Sequence, residues 1–334
     1  MGIDLSTTYL GLKLDSPLIA SASPLTGDIE SLQKLEQAGA SAAVLPSLFE
    51  EQIEHERAEM ERLEEFQADS IAESLSFFPQ IDHYNISIDR YLKLIAEANL
   101  NLKMPVIASL NGATPGGWVR YAKSMEQAGA AALELNIYFI PMESDANADE
   151  VENQYCDLID AVSESVHIPV GVKVGPYFTS LPNVVHRFVQ AGADGLVLFN
   201  RYLAPDIDLE SLTFEPALQL SSPEELRVAL RWIAILRDQV DASFCATGGV
   251  HRVADVVKSL LVGSDAVMVA SSLLQCGRSH LTELRTGLES WLKEHEYESV
   301  EQIKGSMSMK NCSNPEGLNR ANYMKALTSY TRSL

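Results

Sequence analysis

Gln37-Ala38-Gly39-Ala40, Gln127-Ala128-Gly129-Ala130 and Gln190-Ala191-Gly192-Ala193 are three copies of one joint, and Val262-Gly263-Ser264-Asp265 is a looser fourth. Each follows a helix-like segment and precedes an apolar run. A glycine just past a helix supplies the left-handed cap, and small neighbours let helix and strand pack closely. The uneven spacing of the copies excludes a solenoid. They read as the recurring joint of an αβ unit.

Outward from these joints lie eight short, mostly apolar runs: Pro17–Ser23, Ser41–Leu48, Pro105–Gly112, Ala132–Phe139, Pro169–Gly175, Gly195–Asn200, Ser243–Gly249 and Ala266–Ser272. Apolar strands alternating with helices signal a parallel sheet buried on both faces. Eight such units around one core predict a (β/α)8 TIM barrel; an open doubly wound sheet is the rival, since periodicity does not show closure. A barrel needs about 250 residues, so a chain of 334 carries inserts. We expect a barrel over 1–304 and a C-terminal extension over 305–334. Two inserted loops are expected at the C-terminal face of the strands: the charged stretch Glu50–Phe66 and the acidic segment Glu143–Asn153. Either they rim a pocket there, or they are simply solvated faces.

Lys and Arg number 25 against 46 Asp and Glu, a formal charge of −21. That balance repels phosphate backbones and anionic bilayers, so no nucleic-acid or membrane partner is expected. No basic segment precedes an apolar run at the N-terminus, so no signal peptide is expected. Nor does any stretch reach the roughly 18 apolar residues of a membrane span. Cys156, Cys245, Cys276 and Cys312 show no CxxC spacing, which fits a reducing, cytoplasmic setting. The histidines show no HxH or HExxH spacing, so no metal site is expected.

Ala246-Thr247-Gly248-Gly249 closes the seventh run and Ala270-Ser271-Ser272 the eighth. Glycines there let backbone N–H groups approach a phosphate, and barrel phosphate sites use the loops after strands seven and eight. A tight turn is the plainer alternative. Lys173, inside Gly171-Val172-Lys173-Val174-Gly175, would cost several kcal/mol if buried unpaired. It either meets an anionic or electron-rich ligand at the strand's end or pairs with a neighbouring strand. Asn136 and Asn200, with Asn111 a weaker third, place uncharged donors and acceptors at strand ends, which suits a polar heterocycle.

Pro17-Leu18-Ile19-Ala20-Ser21-Ala22-Ser23, Leu133-Glu134-Leu135-Asn136, Val170-Gly171-Val172-Lys173, Thr247-Gly248-Gly249 and Tyr297-Glu298-Ser299-Val300 stand in the order found in dihydroorotate dehydrogenases. The chain resembles the soluble class of that family from about residue 4 to about residue 308. The resemblance implies FMN at the strand carboxyl ends of a homodimer acting in pyrimidine biosynthesis. Lys173 would contact the electron-rich ring edge, Ala22 and Ser23 would flank the flavin, and Asn136 and Asn200 would touch flavin or substrate. Thr247, Gly248, Gly249, Ala270 and Ser271 would hold the phosphate.

The substrate side departs from the family. Its fourth strand ends Asn-Leu-Ser-Cys-Pro-Asn, with the cysteine as base. Here Asn136-Ile137-Tyr138-Phe139-Ile140-Pro141 puts Phe139 at the base position, and a phenyl ring accepts no proton. The lysine expected at the end of strand two is absent from Ala43-Val44-Leu45-Pro46-Ser47. In the substrate loop, Glu73-Ser74-Leu75-Ser76-Phe77-Phe78-Pro79 sets a carboxylate where an asparagine would bind the substrate. Tyr138, Ser47 and Glu73 are the candidate replacements for acid or base. The reading that results is an FMN-dependent oxidoreductase acting on a small planar ring substrate or a redox protein. The alternatives are a flavin reductase coupled to an iron–sulfur partner, a non-catalytic flavin-binding regulatory or assembly subunit, and a flavin-free phosphate-binding barrel.

Overall fold

The computed structural model of the chain describes residues 2–49, 88–111, 115–137, 139–201, 204–215, 217–318 and 322–331. Glu50–Phe66, Glu73–Pro79, Gly112 and Tyr138 lie outside them.

Eight parallel strands form the barrel: β1 (Leu18–Ala20), β2 (Ala42–Val44), β3 (Val106–Asn111), β4 (Ala132–Asn136), β5 (Val170–Val174), β6 (Gly195–Leu198), β7 (Ser243–Ala246) and β8 (Ala266–Val269). Each pairs with its sequence neighbours, and β8 returns to β1 through Val267 opposite Leu18. With Ala43 opposite Val106, β2 and β3 complete the circle. The sheet is closed, so the open-sheet rival is excluded.

Helices α1 (Ile29–Ala38), α2 (Ile88–Asn101), α3 (Pro115–Ala128), α4 (Ala148–Ser163), α5 (Leu181–Gln190), α6 (Leu226–Leu236) and α7 (Val253–Val262) separate the strands. The short α8 (Ser271–Cys276) and then α9 (His280–Glu294) follow β8. The four joints lie where α1, α3, α5 and α7 turn into the next strand, and Gly39, Gly129, Gly192 and Gly263 all have φ between 99° and 113°. Side chains with a Cβ are strained there.

Two of these joints carry a tie that periodicity does not disclose. Glu36, just before the first, accepts Lys103 N–H at 2.7 Å and Met104 N–H at 2.8 Å. Glu126, before the second, accepts His167 N–H at 2.6 Å. Each carboxylate fastens the loop entering another strand, satisfying backbone donors that would otherwise lack partners.

Strand alternation divides the core. Val170, Val172 and Val174 of β5 join the layer between sheet and helices, with Trp118, Phe188 and Leu35. Inward positions such as Ile19, Val44, Ile107, Val197, Cys245 and Met268 form an inner cluster, which an N-terminal hairpin (Thr7–Tyr9 with Leu12–Leu14) completes through Tyr9, Leu10 and Leu14. Gly171 and Gly195 face each other in register across β5 and β6. Their missing side chains make the slot for Leu10: a Cβ on Gly195 would sit 2.6 Å from Leu10 Cδ2 and 3.0 Å from the Ser243 carbonyl oxygen.

The sequence boundaries overrun the strands at the carboxyl end, as in Gly195–Asn200 against Gly195–Leu198. Apolarity continues past the last ladder bond, into residues that turn toward the barrel mouth. The acidic segment Glu143–Asn153 is in part the start of α4: Asn147 caps it, accepting Glu150 N–H at 2.9 Å, and Asp149 and Glu150 occupy its first turn. Negative charge is favourable at a helix N-terminus. Residues 305–309 run against the barrel helices, with Gly305 N–H donating to the Leu260 carbonyl and Met309 N–H to that of Ala234.

Gly195→Ala should lower the unfolding free energy by about 1–3 kcal/mol through overpacking against Leu10. Equilibrium denaturation checks this, and a wild-type midpoint would contradict the slot.

Candidate active site

The carboxyl ends of the strands surround a cavity lined by Ser21 and Ala22 after β1, Lys173 on β5, Asn200 and Arg201 after β6, Thr247–Gly249 after β7, and Ala270–Ser271 after β8. Ser221, in the loop before α6, completes this wall. Of the other sequence candidates, Asn136 adjoins the cavity through Asn200. Ser23 is buried and accepts Leu25 N–H at 3.3 Å, capping a short turn. Asn111 is half-buried at the end of β3, away from the lining.

Lys173 points inward because Val172 and Val174 take the helix-facing positions. Its ammonium Nζ stands 3.3 Å from Glu134 Oε1 on the adjoining β4. Lys173 thus has both of the environments its sequence context left open, a neighbouring-strand partner and a face on the cavity. Glu134 is a site-adjacent residue that the sequence reading missed. The signal was its position two residues before Asn136, which places both on the inward face of one strand.

Asn200 Nδ2 donates to Asn136 Oδ1 at 2.7 Å, and Asn136 Nδ2 donates to Ser47 Oγ at 3.3 Å. Ser47 Oγ lies 2.8 Å from Ser109 Oγ, and the backbone of Ser109 is bonded on both sides to the Tyr91 hydroxyl. This uncharged chain runs from the mouth into the barrel wall. Burial pushes the Tyr91 phenol well above its ordinary value, so it serves as a hydroxyl and not as a phenolate. Arg201, at the same mouth, is paired with Glu225 at 3.2 Å.

After β7 the backbone enters the left-handed region at Gly248, φ 80°, and beyond its chain neighbours no atom of the described residues lies within 4 Å of where a Cβ would stand. The hydroxyl of Ser221 accepts Gly249 N–H at 3.0 Å and donates to Ser271 Oγ at 2.9 Å, lacing the β7 and β8 loops together. Ser221 is the second residue that the sequence reading missed, and polar Ser221-Ser222-Pro223-Glu224 ahead of a helix was the available signal.

Phe139 is half-buried and packs edge-on against Tyr155, ring centroids 4.9 Å apart. The cysteine inside the barrel, Cys245, is fully buried, and burial pushes its thiol well above the ordinary range. It is a small core hydrophobe and not a nucleophile. Among the described residues, no cluster of three metal-ligating side chains occurs, and no helix is long and apolar enough to cross a membrane.

The family profile described as "Dihydroorotate dehydrogenase" matches residues 4–292. The chain belongs to the dihydroorotate dehydrogenase family. The Thermoplasma volcanium protein named "Dihydroorotate dehydrogenase B (NAD(+)), catalytic subunit" is 24% identical over 313 residues, covering 90% of this chain and 98% of that relative. The Methanothermobacter thermautotrophicus protein of the same name is 28% identical over 221 residues, 64% of this chain and 71% of the relative. An Aeropyrum pernix relative, provisionally named dihydroorotate dehydrogenase A (fumarate), is 30% identical over 221 residues, again 64% and 71%.

Ser221→Ala leaves the buried Gly249 N–H without its acceptor. We expect a loss of about 1–3 kcal/mol, read by denaturant unfolding; Ser221→Thr should recover most of it, and equal losses in both variants would contradict the lacing role.

Proposed function

We propose that this dihydroorotate dehydrogenase family member binds FMN in the cavity and acts as an oxidoreductase on a planar ring substrate or a redox partner protein, with dihydroorotate disfavoured. The convergence of a buried lysine, the Gly248–Gly249 turn and the Ala270–Ser271 turn on one cavity carries this reading. These residues fit the group. Gly248 lines the cavity, and beyond its chain neighbours no atom of the described residues stands near its missing Cβ, as close approach of a phosphate to the backbone requires. Lys173 offers a cation to an electron-rich ring edge.

Bound there, the flavin supplies hydride and electron exchange. The chain supplies the rest. Gly248, Gly249, Ala270 and Ser271 hold the phosphate, Ala22 flanks the ring, and Lys173 favours negative charge on it. Asn200 and Asn136 orient a polar ring through neutral donors and acceptors. Arg201 is already paired with Glu225, which leaves it less available to a substrate carboxylate.

Phe139 supports the departure from dihydroorotate chemistry. Oxidising that ring needs a proton acceptor beside the departing hydride, and a positioned base contributes about 10²–10⁴-fold. Ser47, engaged with Asn136 and Ser109, is the described hydroxyl nearest in role; Tyr138 and Glu73 lie outside the described residues.

The purified protein supplied with FMN should show bound oxidised flavin that dithionite bleaches. Without oxygen, dihydroorotate should bleach it about 10²–10⁴-fold more slowly than in a relative with the cysteine base. Bleaching at the relative's rate would overturn the substrate reading, and failure to bind FMN would overturn the cofactor reading.

A further inference from the structure

Glu134 is 1% exposed, its Oε1 meets Lys173 Nζ at 3.3 Å, and its Oε2 has no hydrogen-bond partner among the described residues. It does not line the cavity. In register it stands opposite Gly171, one inward-facing level deeper than Lys173. A buried carboxylate bearing one half-satisfied contact is costly, and a neutral amide of the same shape would avoid most of that cost. Nothing in the packing of β4 calls for a charge, because Leu133 and Leu135 supply its contacts with the helix layer.

We infer that Glu134 is a positioning residue that holds the Lys173 ammonium and offsets its charge, and thereby sets the reduction potential of a flavin bound in the cavity. This rests on the FMN reading above. The field of Glu134 is felt across the barrel interior. Burial raises the Tyr9 phenol and the Cys245 thiol, and in each case the Glu134 charge adds to the rise. Neither a phenol nor a thiol can supply a positive charge, and the cation in contact with Glu134 is the Lys173 ammonium. Asp265, the other acid that raises both, is taken up by Arg237 at 2.7 Å and Lys304 at 3.1 Å.

Two-electron reduction of FMN with uptake of one proton leaves the ring one unit more negative. A bare ammonium favours that state, and a carboxylate beside the ammonium weakens the preference. Removing the carboxylate charge should strengthen it.

The test is the two-electron potential of FMN bound to the full chain, measured against a reference dye at equilibrium. Glu134→Gln should favour reduced flavin by about tenfold, a rise of about 30 mV for a two-electron couple. Lys173→Met should move the potential the other way. Lys173→Met combined with Glu134→Gln replaces the whole pair by neutral groups, so it provides a folded comparison if either single change unfolds the barrel. Its potential should lie at least tenfold above that of Lys173→Met in the same ratio. Should the single variant be unstable, the free lysine's contribution is bounded by wild type against the double variant, expected within tenfold of each other.

Wild-type potential in Glu134→Gln, or in its absence a double variant more than tenfold below wild type, would overturn the inference while the FMN reading stands. Wild-type protein that takes up no FMN would overturn both. A purely structural pair would change the melting temperature and leave the potential of the flavin unmoved.

Discussion

Closure of the parallel sheet is the constraint from which the site follows. Once Ala43 pairs with Val106 and Val267 with Leu18, the inward side chains below the mouth are buried. Apolar residues and the Leu10 plug fill its lower part. Higher up, Lys173 and Glu134 face the same enclosed space, where an unpaired charge would cost several kcal/mol, and they meet each other. The mouth above them inherits the Lys173 ammonium, whose charge is already partly answered.

The same closure gives the Gly248–Gly249 turn and the Ala270–Ser271 segment their meaning. Two glycines after a strand are a weak signal in an open chain. On this barrel the β7 and β8 loops lie side by side, and Ser221 joins them through Gly249 and Ser271. The mutual placement of the two loops, where we propose a phosphate is held, therefore depends on a residue from a third loop. Of the departures from the family, Phe139 packs against Tyr155 and Ser47 bonds Asn136 and Ser109, neither of them within the Ser221–Gly249–Ser271 lacing.

The barrel was readable because its joints repeat a physical requirement: a left-handed cap, then an apolar run. Lys173 and the Thr247–Gly249 turn were readable because each is locally anomalous, a charge in an apolar strand and adjacent glycines at a strand end. Glu134 escaped because Leu-Glu-Leu-Asn reads equally well as an amphipathic strand with its glutamate in solvent; only closure turns that face inward. Ser221 escaped because a serine before a helix is ordinarily a cap. The ties made by Glu36 and Glu126 were hidden for a related reason, since an exposed-looking carboxylate says nothing about which distant N–H it meets.

The FMN-soaked crystal structure of the full chain tests the central claim most directly. It should show the phosphate against Gly248, Gly249, Ala270 and Ser271, with the ring edge at the Lys173 ammonium. An empty cavity at saturating FMN, or a flavin bound away from Lys173, would contradict the account.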